Sequence, residues 1–371
     1  MRRFAKPLSG VTCSEGSNPS LSAKAPVAQW IERQVADLKA VGSSPAGRAT
    51  FGHLRTPTEL IQVPEAVVHM HPGSHLRGLA APLLVLALIA FTIAAPVANA
   101  APAAARVPAF DHVYLVIMEN REYGSIVGSS NAPYINSLIS RFGLATNYDG
   151  VTHPSQPNYL ALFGGSTFGV TDDDLHDLAK TNLADQLQTA GRSWHVYEQD
   201  YPGHCSPAAA AKGGTDLIGP GGWYARKHDP AISFTDISHR QQRCARITSL
   251  ASFSAKAASF ELIVPNLTND MHDGTTAQGD AFLKSFVPLI TKSAAFAHSL
   301  LIITWDEGTT GQGGGGHVAT IVVSPLLKGA GIQSSVSHNH YSLLRTIEAG
   351  LGLPCLRQAC GANDFAEFFG S

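Results

Sequence analysis

The sequence predicts an α/β domain built around a largely parallel sheet. Two observations carry that expectation. Between residues 107 and 371, apolar runs rich in Val, Ile and Leu alternate with segments of helical period, the pattern of strands linked by crossover helices. Several of those runs lead into carboxylate, asparagine or histidine residues, and an open α/β sheet binds ligands beyond the carboxyl ends of its strands.

Taken in order, "HVYLVIM" (112–118) suits a strand buried on both faces and ends in Glu119-Asn120. "APYINSLISRF" (132–142) reads as a helix stopped by Gly143. In "VTHPSQPNYLALFGGS" (151–166), the spacing of Tyr159, Leu160 and Phe163 predicts a short helix ending at Gly164-Gly165. Pro154 and Pro157 restrict the backbone around Ser155, which falls at or just before that helix's N-terminus. There it is either a helix cap or a group presented to an anion.

A helix over 183–190 is capped by Asn182 and stopped by Gly191, and "WHVYEQ" (194–199) is a strand ending at Asp200. Residues 201–245 have Gly/Pro-rich stretches and weak periodicity, and are expected to form an excursion over the active edge. The strand "FELIVPN" (260–266) leads to Asp270, His272 and Asp273. A helix over 277–295 precedes the strand "SLLIITW" (299–305), which ends in Asp306-Glu307-Gly308. "GTTGQGGGG" (308–316) is expected to be a mobile loop; it lacks the Gly-Lys-Ser/Thr ending of a phosphate-binding loop. Its glycines supply flexibility or close backbone approach. A strand "HVATIVVSP" (317–325) begins at His317, and a helix over 340–350 follows.

A chain of 371 residues, 44% hydrophobic, suits one or two globular domains, and its net charge of −2 offers no basic surplus for nucleic acid. From Met70, a weakly basic start (Arg77) leads into an apolar run over Leu79–Ala95 and the small-residue pattern Ala98-Asn99-Ala100. This reads as a secretory signal (70–100) cleaved after Ala100. A retained anchor is disfavoured by Pro82, Pro96 and the lack of a basic flank. A signal at residue 70 implies that residues 1–69 are a mis-annotated extension. The stretches "APVAQWIERQVADLKAVGSSPAGRA" and "GVTCSEGSNPSLSA" resemble the translation of a transfer-RNA gene. Residues 101–371 are then a single domain. Four cysteines remain in it, allowing three pairings. Cys205–Cys244 and Cys355–Cys360 are favoured, because each pair brackets a loop-like segment.

The residues at the strand ends suit phosphoryl chemistry. Carboxylates alone would repel a phosphoryl group, so a cation must lie between them and the substrate. Glu119, Asn120, Asp306 and Glu307 are hard oxygen ligands for one divalent metal ion. Such an ion would lower the pKa of the Ser155 hydroxyl and orient it for attack. His272, and less directly His228, His317 and His340, are candidates to bind phosphate oxygens or protonate a leaving group.

"VIMENREYGSIVG", "THPSQPNYLALFGGS", "IVPNLTNDMHDG", "IITWDEG", "IVVSP" and "HYSLLRTIE" occur in that order over about residues 110–352. This series resembles the phosphoesterase family of bacterial phospholipases C and acid phosphatases, within the alkaline phosphatase superfamily. The resemblance implies an alkaline-phosphatase-like three-layer sandwich. It also implies a metal held by Glu119, Asn120, Asp306 and Glu307, and Ser155 as the metal-bound nucleophile of a phospho-enzyme. His272 and His228 (in "YARKHDP") look like the phosphate-facing histidines, whereas His153 and Asn158 flank the nucleophile without an assigned role. Asp270, His272, His317 or His340 could supply a second metal in the manner of two-metal superfamily members, but the spacing fits poorly and one metal is expected.

Three readings compete: a phosphomonoesterase, a phospholipase C-type phosphodiesterase and an inactive envelope-binding protein. The monoesterase is favoured, because no additional lipid-binding domain or amphipathic lid is evident and every expected ligand type is present. Ser155 also lacks the glycines of a G-x-S-x-G elbow. The expected protein is a secreted or cell-envelope monomer acting on a small phosphorylated substrate, without nucleic acid and without a stable membrane anchor after signal cleavage. N-terminal peptide mapping of the unprocessed protein is expected to begin at Met70; a native peptide spanning residues 25–50 would overturn that start.

Overall fold

The computed structural model describes residues 105–203, 205 and 224–370. The expected extension (1–69), the signal segment (70–100) and residues 206–223 of the excursion lie outside them. The strands are β1 (His112–Met118), β2 (Gly143–Ala145), β3 (Tyr148–Asp149), β4 (Trp194–Glu198) and β5 (Ile247–Ser249). They continue as β6 (Phe260–Val264), β7 (Ser299–Trp305), β8 (Thr320–Val323), β9 (Ile332–Ser334) and β10 (His338–Asn339). The longer helices are α1 (Pro133–Arg141), α2 (Ser155–Gly164), α3 (Leu183–Thr189), α4 (Thr276–Thr291) and α5 (His340–Leu351).

Eight strands form one sheet in the order β5-β4-β6-β1-β7-β8-β2-β9. β8 alone runs against its neighbours, antiparallel to β7 and β2. β3 and β10 make a small parallel pair. Every residue of β6, β7 and β8 is buried, as is all of β1 after His112. A strand buried on both sides must have both sheet faces covered, which explains why these runs are continuously apolar rather than alternating. Helices α1 and α4 pack together, as do α2 and α5. The expected three-layer α/β architecture is therefore present. Among the described residues, no helix is long and apolar enough to cross a membrane.

The two seven-residue strands occupy the predicted residues. The predicted strand 317–325 contracts to β8, because His317 leaves it to bridge Asp149 and stack on Tyr123. The helix expected to reach 295 ends at Thr291, and a short 3-10 helix (Ala294–His298) completes the approach to β7. Both expected disulfides form, Cys205–Cys244 and Cys355–Cys360, with Cα separations of 5.8 and 5.1 Å.

Helix α2 is fastened at its far end. Gly165 follows it at φ 69°, and a Cβ there would lie 2.5 Å from the Leu356 carbonyl oxygen. Arg357 donates to Gly164 O at 2.6 Å, and the Gln358 amide donates to Gly165 O at 3.1 Å. Helix α1 has no capping side chain of its own. Asp280, buried on α4, instead accepts from the amides of Tyr134 (3.2 Å) and Ile135 (2.8 Å). Asp280→Ala strands two helix amides and removes a favourable charge from the helix N-terminus, so urea unfolding is expected to fall by about 2 kcal/mol. Asp280→Asn, which keeps an acceptor oxygen, is expected to lose less.

Candidate active site

The register of the central strands builds the site. Met118 and Trp305 are opposed in the parallel ladder of β1 and β7, so the residues that follow, Glu119 and Asp306, leave the sheet side by side. Asp306 N donates to Met118 O at 3.0 Å. Asn120 then turns at φ 39°, a left-handed conformation that asparagine tolerates well, and its amide donates to Asp306 Oδ1 at 3.1 Å. From the end of β6 the chain returns Asp270, whose carbonyl accepts from Glu119 N at 2.8 Å.

Ser155 is the first residue of α2. Pro154 is the N-cap, and no side chain caps the helix. The hydroxyl points to the strand ends instead: its Oγ is 3.2 Å from Glu119 Oε2 and 3.4 Å from Asn120 Oδ1. One turn further along the same helix face, the Tyr159 hydroxyl donates to Glu119 Oε1. The His228 ring stacks on Tyr159 (5.3 Å between centroids). It lies between two carboxylates, with Nε2 3.3 Å from Glu119 Oε2 and Nδ1 3.5 Å from Asp270 Oδ2. Glu119, His228 and Asp270 thus offer ligand atoms within 4.8 Å of one another.

This is a costly concentration of charge. Glu119, Asp270 and Asp306 are all fully buried. Burial first, then Asp306 and Asp270, push Glu119 well above the usual carboxylate range. Burial also raises Asp270, and it lifts Asp306 to about 6 against the opposing Asn120 amide. His228 is held far below its ordinary value by burial and by Lys227, so the ring is neutral: a ligand or hydrogen-bonding group rather than an acid. Such strained titration concentrated in one cluster marks a functional centre.

The other candidates sort themselves by distance from this cluster. His272 Nδ1 donates to Asp273 Oδ1 at 2.7 Å, and its ring centroid is 5.7 Å from that of His228, at the rim. Glu307 turns to His153, with Oε2 2.8 Å from Nδ1, and burial lifts it to about 8. Asn158 also reaches Glu307 (3.5 Å), while its carboxamide oxygen accepts from the amides of Val151 and Thr152. His340 is buried beneath the site, bonded to the Asp306 carbonyl and, at 2.8 Å, to the Tyr148 hydroxyl. Burial holds it at about 4, neutral. His317 bonds to Thr146 O and Asp200 accepts from Asn266, so neither joins the carboxylates. Tyr159 was detectable as the residue four places after Ser155 on a helix. Asp270 sits among several polar residues in "NDMHD", and only the fold selects it.

The glycine-rich loop is built for contact. A Cβ at Gly314 would lie 2.3 Å from Val151 O, and one at Gly315 2.6 Å from Thr152 O. Close backbone approach, rather than mobility, is the use made of these glycines. Glu122 holds the loop, accepting from the amides of Thr309 (2.7 Å), Thr310 (3.2 Å) and His317 (3.1 Å) and from both threonine hydroxyls.

Fold and cluster together set a candidate active site at the carboxyl edge of a largely parallel α/β sheet, and the comparisons make the protein a phosphoric ester hydrolase. The chain belongs to the phosphoesterase family: the family model matches residues 128–354, which include Ser155, His228, Asp270, His272, Asp306 and Glu307. A phosphatidylinositol-3-phosphatase from Mycobacterium tuberculosis is 32% identical over 302 residues, covering 78% of this chain and 94% of that protein. An acid phosphatase from Aspergillus fumigatus is 31% identical over 271 residues, covering 69% of this chain. The chain spans 58% of that longer fungal relative. Among solved structures, the lipoteichoic acid synthase LtaP from Listeria monocytogenes aligns with a TM-score of 0.49 at 9% identity, over 72% of this chain and 76% of that one. That likeness bears on neither substrate nor mechanism.

Removing the carboxylate that clasps the loop is expected to free it. In Glu122→Ala, amide hydrogen exchange at Thr309, Thr310 and His317 should accelerate by at least about tenfold, as loss of ~1.4 kcal/mol or more of local protection requires. Exchange in β1 and β7 should stay as in the parent.

Proposed function

We propose that this chain is an exported, metal-dependent phosphomonoesterase working through a phosphoserine at Ser155. Residues 101–371 then act as one monomeric domain on a small phosphorylated substrate. The observation that carries the reading is the Ser155 hydroxyl, mounted at a helix N-terminus and aimed at buried Glu119 and Asn120 instead of its own helix amides.

The donor set fits a divalent cation. Beside Ser155 Oγ, the buried carboxylates of Glu119 and Asp306 converge, and the Asn120 carboxamide lies against both of them. Oxygen donors of that kind are what a hard cation takes. Asp270 Oδ2 and His228 Nε2 are buried without hydrogen-bond partners in the same cluster. Glu119, Asn120, Ser155 and Asp306 would hold the ion, with Glu307 able to turn in from His153, and His228 and Asp270 adjoin Glu119. When bound, the ion would neutralise the carboxylates and stabilise the serine alkoxide.

The chain's own groups then divide the reaction. Ser155 Oγ, whose proton has Glu119 Oε2 as nearest acceptor, bonds to phosphorus as the ester P–O bond breaks. His272 is the rim group suited to protonate the departing alkoxide, with Asp273 orienting its Nδ1. Water then attacks the phosphoserine, giving inorganic phosphate and regenerating the hydroxyl. The N-terminus of α2 favours the negative charge that gathers beside Ser155 throughout. The named relatives are phosphatases, which supports a monoester over a phospholipase C substrate.

Ser155→Ala is expected to fold normally and lose at least about 10³-fold in kcat/KM on a chromogenic phosphomonoester. Rapid quenching with labelled substrate should trap label on Ser155; near-parental turnover by the variant with no trapped label would sink the mechanism. Asp306→Asn should lower divalent-metal affinity and activity together, with added metal restoring part of the activity. Faster turnover of a phosphocholine diester than of the monoester would favour the phosphodiesterase reading.

A further inference from the structure

Lys227 sits on the short 3-10 turn Arg226–His228, one residue from the ring wedged between Glu119 and Asp270. Its side chain is only 10% exposed. Nζ donates to Asp173 Oδ2 at 2.9 Å, and Asp173 Oδ1 accepts from the amide of Gln156, also at 2.9 Å. Gln156 directly follows Ser155. A single carboxylate therefore ties the lysine ammonium to the first turn of the helix that carries the nucleophile. Among the described residues Asp173 is the only hydrogen-bond acceptor of that ammonium, which has three N–H groups to give.

We propose that Lys227 is the cation that binds the phosphoryl oxygens of the substrate, and that Asp173 is the positioning residue that aims it. The inference rests on the phosphoester reading above and names a group outside it. Charge demands such a group. A phosphomonoester brings up to two negative charges to a cluster that already gathers the carboxyl groups of Glu119, Asp270, Asp306 and Glu307. Neither neighbouring imidazole is placed to serve instead: His228 is wedged between Glu119 and Asp270, and His272 already engages Asp273. A compact ammonium held beside the helix N-terminus can meet an oxyanion there without reorganising during the reaction. An ordinary ion pair would do none of this; it would only pin the 170–178 loop to the 226–228 turn.

Inorganic phosphate is the probe, titrated calorimetrically into the purified chain supplemented with divalent metal, alongside its inhibition of monoester turnover. Lys227→Met is expected to weaken phosphate binding at least about tenfold and to lower kcat/KM by about 10²-fold, with Lys227→Arg recovering part of both. Asp173→Asn should raise KM several-fold with a smaller change in kcat, because the ammonium remains but is no longer aimed. Repeating the phosphate titration in Ser155→Ala separates the two readings, since binding needs no phosphoserine. An active Ser155→Ala would overturn the nucleophile and leave a lysine effect on binding intact. Phosphate affinity within twofold of the parent in folded Lys227→Met, or, should that variant not fold, in Asp173→Asn, overturns the proposal.

Discussion

Two carboxylates are forced together by a hydrogen-bond ladder, and much of the site is arranged around that fact. The parallel register of β1 and β7 sets Met118 beside Trp305, so Glu119 and Asp306 emerge adjacent and fully buried. Like charges that close and that dry repel strongly. Each surrounding feature bears on this repulsion. The Asn120 amide and the Tyr159 hydroxyl donate into the pair. His340, itself locked to Tyr148, grips the carbonyl of Asp306 from below and fixes where that residue leaves its strand.

Around this inflexible centre the chain adds parts that are not sheet. The His228 and Lys227 turn comes from the excursion between β4 and β5, His272 from the crossover after β6, and His153 from the segment ahead of α2. The glycine loop closes over residues 149–152 only because three consecutive positions, Gly313 to Gly315, lack a Cβ, and Glu122 gives it the anchor that its own sequence cannot. The cluster therefore presents sheet-borne oxygens on one side and loop-borne nitrogens on the other.

How much of this can be read from the chain alone follows from the physics of each part. β1 and β7 are legible because seven apolar residues in succession have few alternatives, and the polar residue that ends each run is conspicuous. β2, β5 and β9 are three residues long, too short for any period to register; β2 and β5 line up on the longer β8 and β4, and β9 on β2 in turn. Glu119, Asn120, Ser155 and Asp306 could be expected at one place because strand ends and a proline-framed serine point there. Asp270, Tyr159 and Lys227 could not be chosen from sequence with equal force. An aspartate among several, a tyrosine on an apolar helix and a lysine in a basic tripeptide all have commoner explanations. The direction in which each side chain turns is decided by packing.

Helix α2 meets its surroundings at both ends. At the serine end, Asp173 takes the Gln156 amide, and the Asn158 carboxamide fastens the 151–154 approach. At the other, Arg357 and the Gln358 amide seize the carbonyls of Gly164 and of Gly165 just beyond it, and Leu356 stands against a glycine that admits no side chain. A rod clamped at both ends can neither slide along its axis nor tilt about one end. The serine is thus a stationary point of the molecule, and whatever approaches its hydroxyl must do the adjusting.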